Sequence, residues 1–369
     1  MYSLNIIKII GGNMNYIDIV NNIRELEKGF KLNLDENDVN KLLSIFDDHG
    51  CYYLSKMLKG KRSDSMDAEN YIYKYYEFSV DLFKKLSKYN ISYAVLKGVP
   101  LSLAAYNDVS LRKSTDIDIL VSQSDVKQVK SILNELGFKQ GEVIDGKFVP
   151  ISRKQELFYI ANSHQIAPFF LETKEKKMPF IEVDINKQVM WGESSVKLDV
   201  NEFLANTKSC KLSNELVFCT LDPVHFFISL CLHHYKDMNS YYLLFVKNRI
   251  SLRMFCDIYY YLKNNYNICD LDSLLYYSEK YNVKEYIYFC LYYCDKIFDD
   301  DLIKNYLGRF KTSKGTELIE CYGLNEKEQK KWSISFLERI FNKNLSEYLT
   351  RNLSEKNMQK INYNIENLL

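Results

Sequence analysis

Apolar residues recur at two different periods along this chain, and the places where the period changes mark its organisation. From residue 16 to about 60 the spacing is helical. Val39, Leu42, Leu43 and Phe46 follow a capping Asp35 and end at Asp48-His49-Gly50, so His49 is expected to be an exposed turn residue. After a polar break from Lys59 to Ser65, one long helix is predicted from Ser65 to Tyr89. Its stripe is Ile72, Tyr75, Tyr76, Leu82, Phe83 and Leu86.

At Ile91 the period shortens. Ile91 to Leu96 is a short β-branched run ended by Lys97-Gly98, after which Val99-Pro100-Leu101 opens a helix. In Thr115 to Val121, Asp116 and Asp118 alternate with Ile117, Ile119 and Val121, which predicts a strand with both carboxylates on one face. A helix through Val126, Val129, Ile132 and Leu133 stops at Gly137, and a hairpin turns at Asp145-Gly146. Leu157 to Ile160 reads as a further strand. Phe180 to Asn186 reads as another, with Ile181, Val183 and Ile185 opposite Glu182, Asp184 and Asn186. Beyond residue 200 the pattern is helical to the end.

Composition narrows the class. With 369 residues the chain can form two or three modules around a sizeable core. Lys and Arg total 49 against 48 Asp and Glu, so no global field favours nucleic acid. The nine cysteines include no C-x-x-C pair. Cys290 and Cys294 sit in an apolar helical run and are expected to be buried thiols, as in a reducing cytoplasm. No apolar run is long enough to span a bilayer, so no membrane partner is expected. Gly11-Gly12 shortly before Met14 suggests a translated ribosome-binding site, which makes residues 1–13 an extension upstream of a natural start. The expected division is an N-terminal helical region at 1–88, a catalytic core at 89–205 and a C-terminal helical domain at 206–369.

The chemistry concentrates between residues 97 and 118. Two carboxylates two residues apart on a strand are poor neighbours unless a cation lies between them, and their oxygens suit Mg²⁺. A strand, a glycine turn and a helix start form an anion cradle, to which Lys97 adds a charge. Arg112 is expected to hold donor phosphates with its planar fork; the other reading pairs it with Asp116 or Asp118. Arg253 and Asp257, four residues apart, read as an intrahelical ion pair.

The run L-K-G-x-x-L at 96–101, A-x-Y at 104–106, L-R at 111–112 and D-I-D-I-L-V at 116–121 resembles a bacterial family of uncharacterised minimal nucleotidyltransferases in the DNA polymerase β-like superfamily. Lys97-Gly98 stands where the better-known enzymes carry Gly-Ser. The resemblance implies an α/β (α+β) nucleotidyltransferase core with a mixed β-sheet, flanked by N-terminal helices and a larger C-terminal all-α module. It implies an NTP donor and two Mg²⁺ ions, one on the donor phosphates and one held by Asp116, Asp118 and Asp184. Asp184 matches the third carboxylate of the superfamily, with Glu182 as the spare and Asn186 where a histidine is expected. His164 matches a family histidine that orients the acceptor, acts as a base, or is structural. The resemblance continues in H-x-x-K, His233 and Lys236, and in L-R-x-x-x-D-I, which contains Arg253 and Asp257. With Lys97, Gly98 and Arg112, the residues His164, His233 and Lys236 complete the expected nucleotide-binding set. The acceptor is open among a small molecule, a peptide and an RNA. Similarity to toxin-type nucleotidyltransferases suggests a tRNA end. Natural-product tailoring and a non-catalytic nucleotide-binding protein are the other readings.

Overall fold

The computed structural model describes residues 14–60, 65–112, 114–192 and 194–368. The proposed extension at 1–13 and the centre of the polar break at 61–64 lie outside them. Eight strands form one mixed sheet: β1 (Tyr93–Val95), β2 (Ile117–Val121), β3 (Lys139–Ile144), β4 (Lys147–Pro150), β5 (Phe169–Glu175), β6 (Met178–Asn186), β7 (Thr207–Lys211) and β8 (Val217–Leu221). Their spatial order is β4-β3-β5-β6-β2-β1-β8-β7. β2 lies antiparallel to β1 and parallel to β6, with Ile117 opposite Val183 and Ile119 opposite Ile185.

Alternation along β2 and β6 decides which chemistry faces where. Ile117, Ile119, Val121, Ile181, Val183 and Ile185 all enter one apolar cluster, together with Leu82, Phe83 and Leu86 from the helix Val80–Lys88 and Val129, Ile132 and Leu133 from the helix Val126–Glu135. Asp118, Glu182, Asp184 and Asn186 therefore leave the opposite face, as the period of two requires. On that side Leu101, Leu120 and Leu221 join a second cluster built mainly from the C-terminal helices.

Four elements differ from the expected pattern. Residues 65–89 form two helices, Ser65–Glu77 and Val80–Lys88. The break lets Tyr76 and Phe83 both pack on Phe218, each with ring centroids 5.3 Å apart. Leu157 to Ile160 is helical, within Arg153–Asn162, because Ser152 and Gln155 form a reciprocal capping box that starts a helix there. The region beyond residue 200 is not purely helical: β7 and β8 extend the sheet, and the alternation along β7 is too polar to signal a strand. Lys208 and Lys211 suit its edge position. His49 is buried, and its Nδ1 accepts the Leu252 N–H at 3.0 Å.

Packing also cuts across chain order. Ile19, Ile23, Leu42 and Phe46 share a cluster with Ile258, Ile287 and Ile297, so the first helices complete the C-terminal helical body. Residues 72–86 belong to the sheet. All nine cysteines are free thiols, with Cys290 and Cys294 buried.

Tyr75 fastens the helical layer to the two acid-bearing strands. Its hydroxyl donates to the Thr115 carbonyl at 2.6 Å and accepts the Glu182 N–H at 2.6 Å. Tyr75→Phe should leave both backbone groups without that partner and destabilise the fold by about 1–3 kcal/mol. Chemical denaturation of the two proteins measures this; equal midpoints would make the clamp irrelevant.

Candidate active site

Strand register brings the acids together. Asp118 and Asp184 are direct partners across the parallel β2–β6 pair, and Asp116 sits immediately before β2. One oxygen from each of Asp116, Asp118 and Asp184 can be chosen so that all lie within 4.8 Å of one another. Asp118 and Asp184 are buried, and Asp116 is half-buried. Burial and the charges of Asp118, Glu182 and Asp116 push the Asp184 carboxyl well above the usual carboxylate range. Burial, then Asp116 and Asp118, raise Glu182 to about 7. Asp184 Oδ1 is buried with no hydrogen-bond partner. A buried acceptor without a donor, beside two further carboxylates, fits a hard cation with oxygen ligands.

The cradle residues diverge. Lys97 extends from the end of β1 to Asp118, Nζ to Oδ2 2.8 Å, with its side chain 18% exposed. Burial opposes the ammonium, but Asp118 and Asp116 more than offset this and raise its pKa. Gly98 does not form the open anion cradle expected of it. It is buried at φ 63°, and a Cβ there would lie 2.9 Å from both Ser114 Oγ and Tyr76 Oη. The Val99 N–H points to Tyr76 Oη at 3.4 Å. Only glycine fits this turn, so its role is to aim Lys97.

Among the described residues Arg112 forms no ion pair with Asp116 or Asp118; its Nε is directed at Asp257. It lies 3.0 and 3.2 Å from the two Asp257 oxygens. Tyr106 Oη donates to Asp257 at 2.8 Å, and His234 Nε2 lies 3.4 Å away. Burial alone would raise Asp257, but Arg112 and His234 hold it far below the ordinary range. Asp257 is thus the anchor of Arg112, and Arg253, four residues before it, also acts on its charge.

The helix Pro223–Asn239 carries His233 and Lys236 to the same place. Both line a small cavity of about 20 Å³ with Lys97, Asp118, His164 and Asn186. His164 Nε2 is 3.3 Å from Lys236 Nζ. Burial, then Lys236 and Lys97, hold the His164 imidazole well below its usual range, so it stays neutral and accepts from Lys236. The bridge between Gln165 and Asn186 fixes His164 beside the end of β6. His233 lies 3.7 Å from Asp237. Asn186 donates to Asp118 Oδ1 at 3.4 Å, which gives the residue in the histidine position a contact with the acids. Gln188 and Ser229 also line this cavity, and no sequence signal marked them.

Two measurements follow. Asp257→Ala would leave Arg112 buried and unpaired, a loss of roughly 3–5 kcal/mol. Asp257→Leu with Arg112→Met should recover most of it; a denaturation midpoint no better than the single variant would contradict the anchor. The second concerns Glu182, whose carboxyl rises from 4.5 to about 7 on folding. A raised carboxyl contributes stability fully present below pH 4.5 and lost as pH climbs through about 7. His49, lowered to about 3 by burial, then Arg249, works in the opposite sense. The quantity to measure is therefore the difference in Tm between Glu182→Gln and the parent without divalent cations. It should grow in favour of the variant from pH 4.5 to 7; a flat difference would refute the burial of that charge.

A family model described as an uncharacterised nucleotidyltransferase matches residues 55–299. None of the curated proteins compared with the chain matches it. Among solved structures, it is similar to an antigenic nucleotidyltransferase-like protein from Paracoccidioides brasiliensis at 11% identity and a TM-score of 0.31, over 61% of this chain and 97% of that one. No helix among the described residues is long and apolar enough to cross a membrane. The family match spans the Lys97 turn, the acid-bearing strands and the His233–Lys236 helix, and the chain belongs to this uncharacterised nucleotidyltransferase family.

Proposed function

We propose that the protein is a Mg²⁺-dependent nucleotidyltransferase that moves a nucleotidyl group from an NTP to an acceptor and releases pyrophosphate. The observation that carries this reading is the unpartnered Asp184 Oδ1 beside Asp116 and Asp118 on adjoining parallel strands. Asp116, Asp118 and Asp184 would hold the cation. When bound, Mg²⁺ supplies neutralisation of donor phosphate charge and activation of the attacking oxygen. The other roles belong to the chain. Lys97, already 2.8 Å from Asp118, is the cation placed to meet a donor phosphate. Tyr75 and Asn186 keep the acids in position, through the Thr115 and Glu182 backbone and through Asp118 Oδ1. Lys236 and His164 stand where the cavity at the acids meets a larger one. Arg112, held by Asp257, ties the loop before β2 to the helix Leu252–Asn265.

Asp116→Asn and Asp118→Asn should each lower NTP-dependent pyrophosphate release on the order of a thousandfold. Mg²⁺ should raise the Tm of the parent protein and leave that of Asp184→Asn unchanged. Without Mg²⁺, Asp184→Asn should be at least as stable as the parent, because burial and the neighbouring acids already disfavour the charged carboxylate there. Asp118→Asn should be less stable, because it takes the partner from Lys97. An equal Mg²⁺ shift in parent and Asp184→Asn, with turnover retained in Asp118→Asn, would mean that the acids and Lys97 form a structural cluster.

A further inference from the structure

A second cavity, of about 640 Å³, opens against the first, and His164 and Lys236 stand in the walls of both. It is built from separate parts of the chain: the helix Arg153–Asn162 and the loop after it, Trp191-Gly192, the helix Tyr241–Lys247 and the C-terminal helix Glu355–Leu368. Gly192 permits the closest approach, since a Cβ there would come within 2.4 Å of the Asn162 carbonyl oxygen. Tyr159, Trp191, Tyr242 and Tyr363 give it aromatic walls. Among the described residues that line it, the charged groups are the ammoniums of Lys236 and Lys360, and none is a carboxylate. Lys360 is already paired with Glu328 at 2.7 Å. Lys236 lies 3.6 Å from Asp237, an acid that also binds Lys247 at 2.6 Å.

We propose, resting on the nucleotidyltransferase reading, that this cavity is the acceptor site and that it takes a compact ring-bearing molecule whose attacking group is an anionic oxygen. Size selects a small molecule, because cavities of roughly 300–1,000 Å³ enclose ligands of that scale. Aromatic walls select a ring. The group at the passage to the acids selects the charge. His164 Nε2 is engaged by Lys236, so this pair presents a cation at the passage and its imidazole is not free to act as a base. An oxygen that arrives already ionised needs none. In the step, one oxygen of a phosphate or carboxylate attacks the α-phosphorus of the NTP and forms a new P–O bond. The bond from that phosphorus to the bridging oxygen of the β-phosphate breaks. Pyrophosphate leaves with the electron pair, and no proton is transferred to the protein.

Trp191 and Trp332 are the two tryptophans of the chain, so Trp332→Phe leaves Trp191 as the reporter. Phenyl phosphate, benzoate and phenol are titrated into this protein while Trp191 emission is followed. At least one of the two anions should saturate the signal about tenfold more tightly than phenol, and Lys236→Met should abolish that preference, which corresponds to about 1.4 kcal/mol. Ala161→Phe, which fills the cavity from an exposed helical position, should weaken all binding. Asp118→Asn should bind the anion as the parent does, so loss of transfer in that variant tests the metal site and leaves the acceptor site to be judged by binding alone. Which anion is converted with NTP, read by product mass, distinguishes a phosphate acceptor from a carboxylate acceptor. Phenol binding as tightly as both anions, or anion binding unaffected by Ala161→Phe, would overturn the proposal.

Discussion

Like charges held on adjacent strands govern the electrostatics of this protein. Asp118 and Asp184 are register partners, and Asp116 and Glu182 lie within reach of both. Two like charges about 5 Å apart at an effective dielectric near 20 repel by roughly 3 kcal/mol. The sheet cannot relieve this by sliding, because a one-residue slip would move Ile119 and Ile185 out of the apolar cluster. The charge must therefore be met from outside the strands. Lys97 meets Asp118 directly, Asn186 donates to the same carboxylate, and Asp184 keeps an oxygen with no donor. A site that binds a cation strongly has to be built this way, with its repulsion fixed in place by packing elsewhere.

The same fixing extends into the helical body. The loop that delivers Asp116 and Asp118 contains Arg112, and Arg112 ends on Asp257 in the helix Leu252–Asn265. Asn264 and Asn265 of that helix donate to the Ala105 and Ala104 carbonyls at the end of Val99–Tyr106, which is the helix that Gly98 starts. Both sides of the candidate site, the acids and Lys97, thus hang from one helix of the other half. The helical module shapes the site in addition to walling it.

Strand-borne chemistry was readable from the chain because period two leaves no choice of face once the apolar set is known. That is why Asp116 shares a face with Asp118, and Glu182 with Asp184 and Asn186; that the two strands adjoin was implied only by the family resemblance. The protein neighbours of Gly98 and Arg112 were not legible, for a different reason. Their partners, Tyr76 and Ser114 for the first and Asp257 for the second, come from distant turns of the chain, and residue type alone made both look like phosphate ligands. His49 had the same problem: a histidine in a Gly-terminated turn looks exposed until Leu252 is folded over it. The strand β7 was not legible because an edge strand with lysines lacks a clean apolar face, and the five-residue β8 between it and β1 is too short an apolar run to separate from the helix that follows. Ser152 and Gln155 did carry a readable capping box, so the helix over 153–162 was a signal passed over.

The way the first helices complete the last ones has a consequence for synthesis. Arg24 donates to the carbonyls of Lys296 and Ile297, so the amino-terminal helices bury their apolar faces against chain made 272 and 273 residues later. At about 5–20 residues per second, that interval is roughly 15–55 s on the ribosome. The sheet, whose last strand ends at Leu221, can close first, while Ile19, Ile23, Leu42 and Phe46 wait without their partners. During that wait the nascent chain carries an uncovered apolar surface at its amino end, which is the kind of surface that chaperones shield.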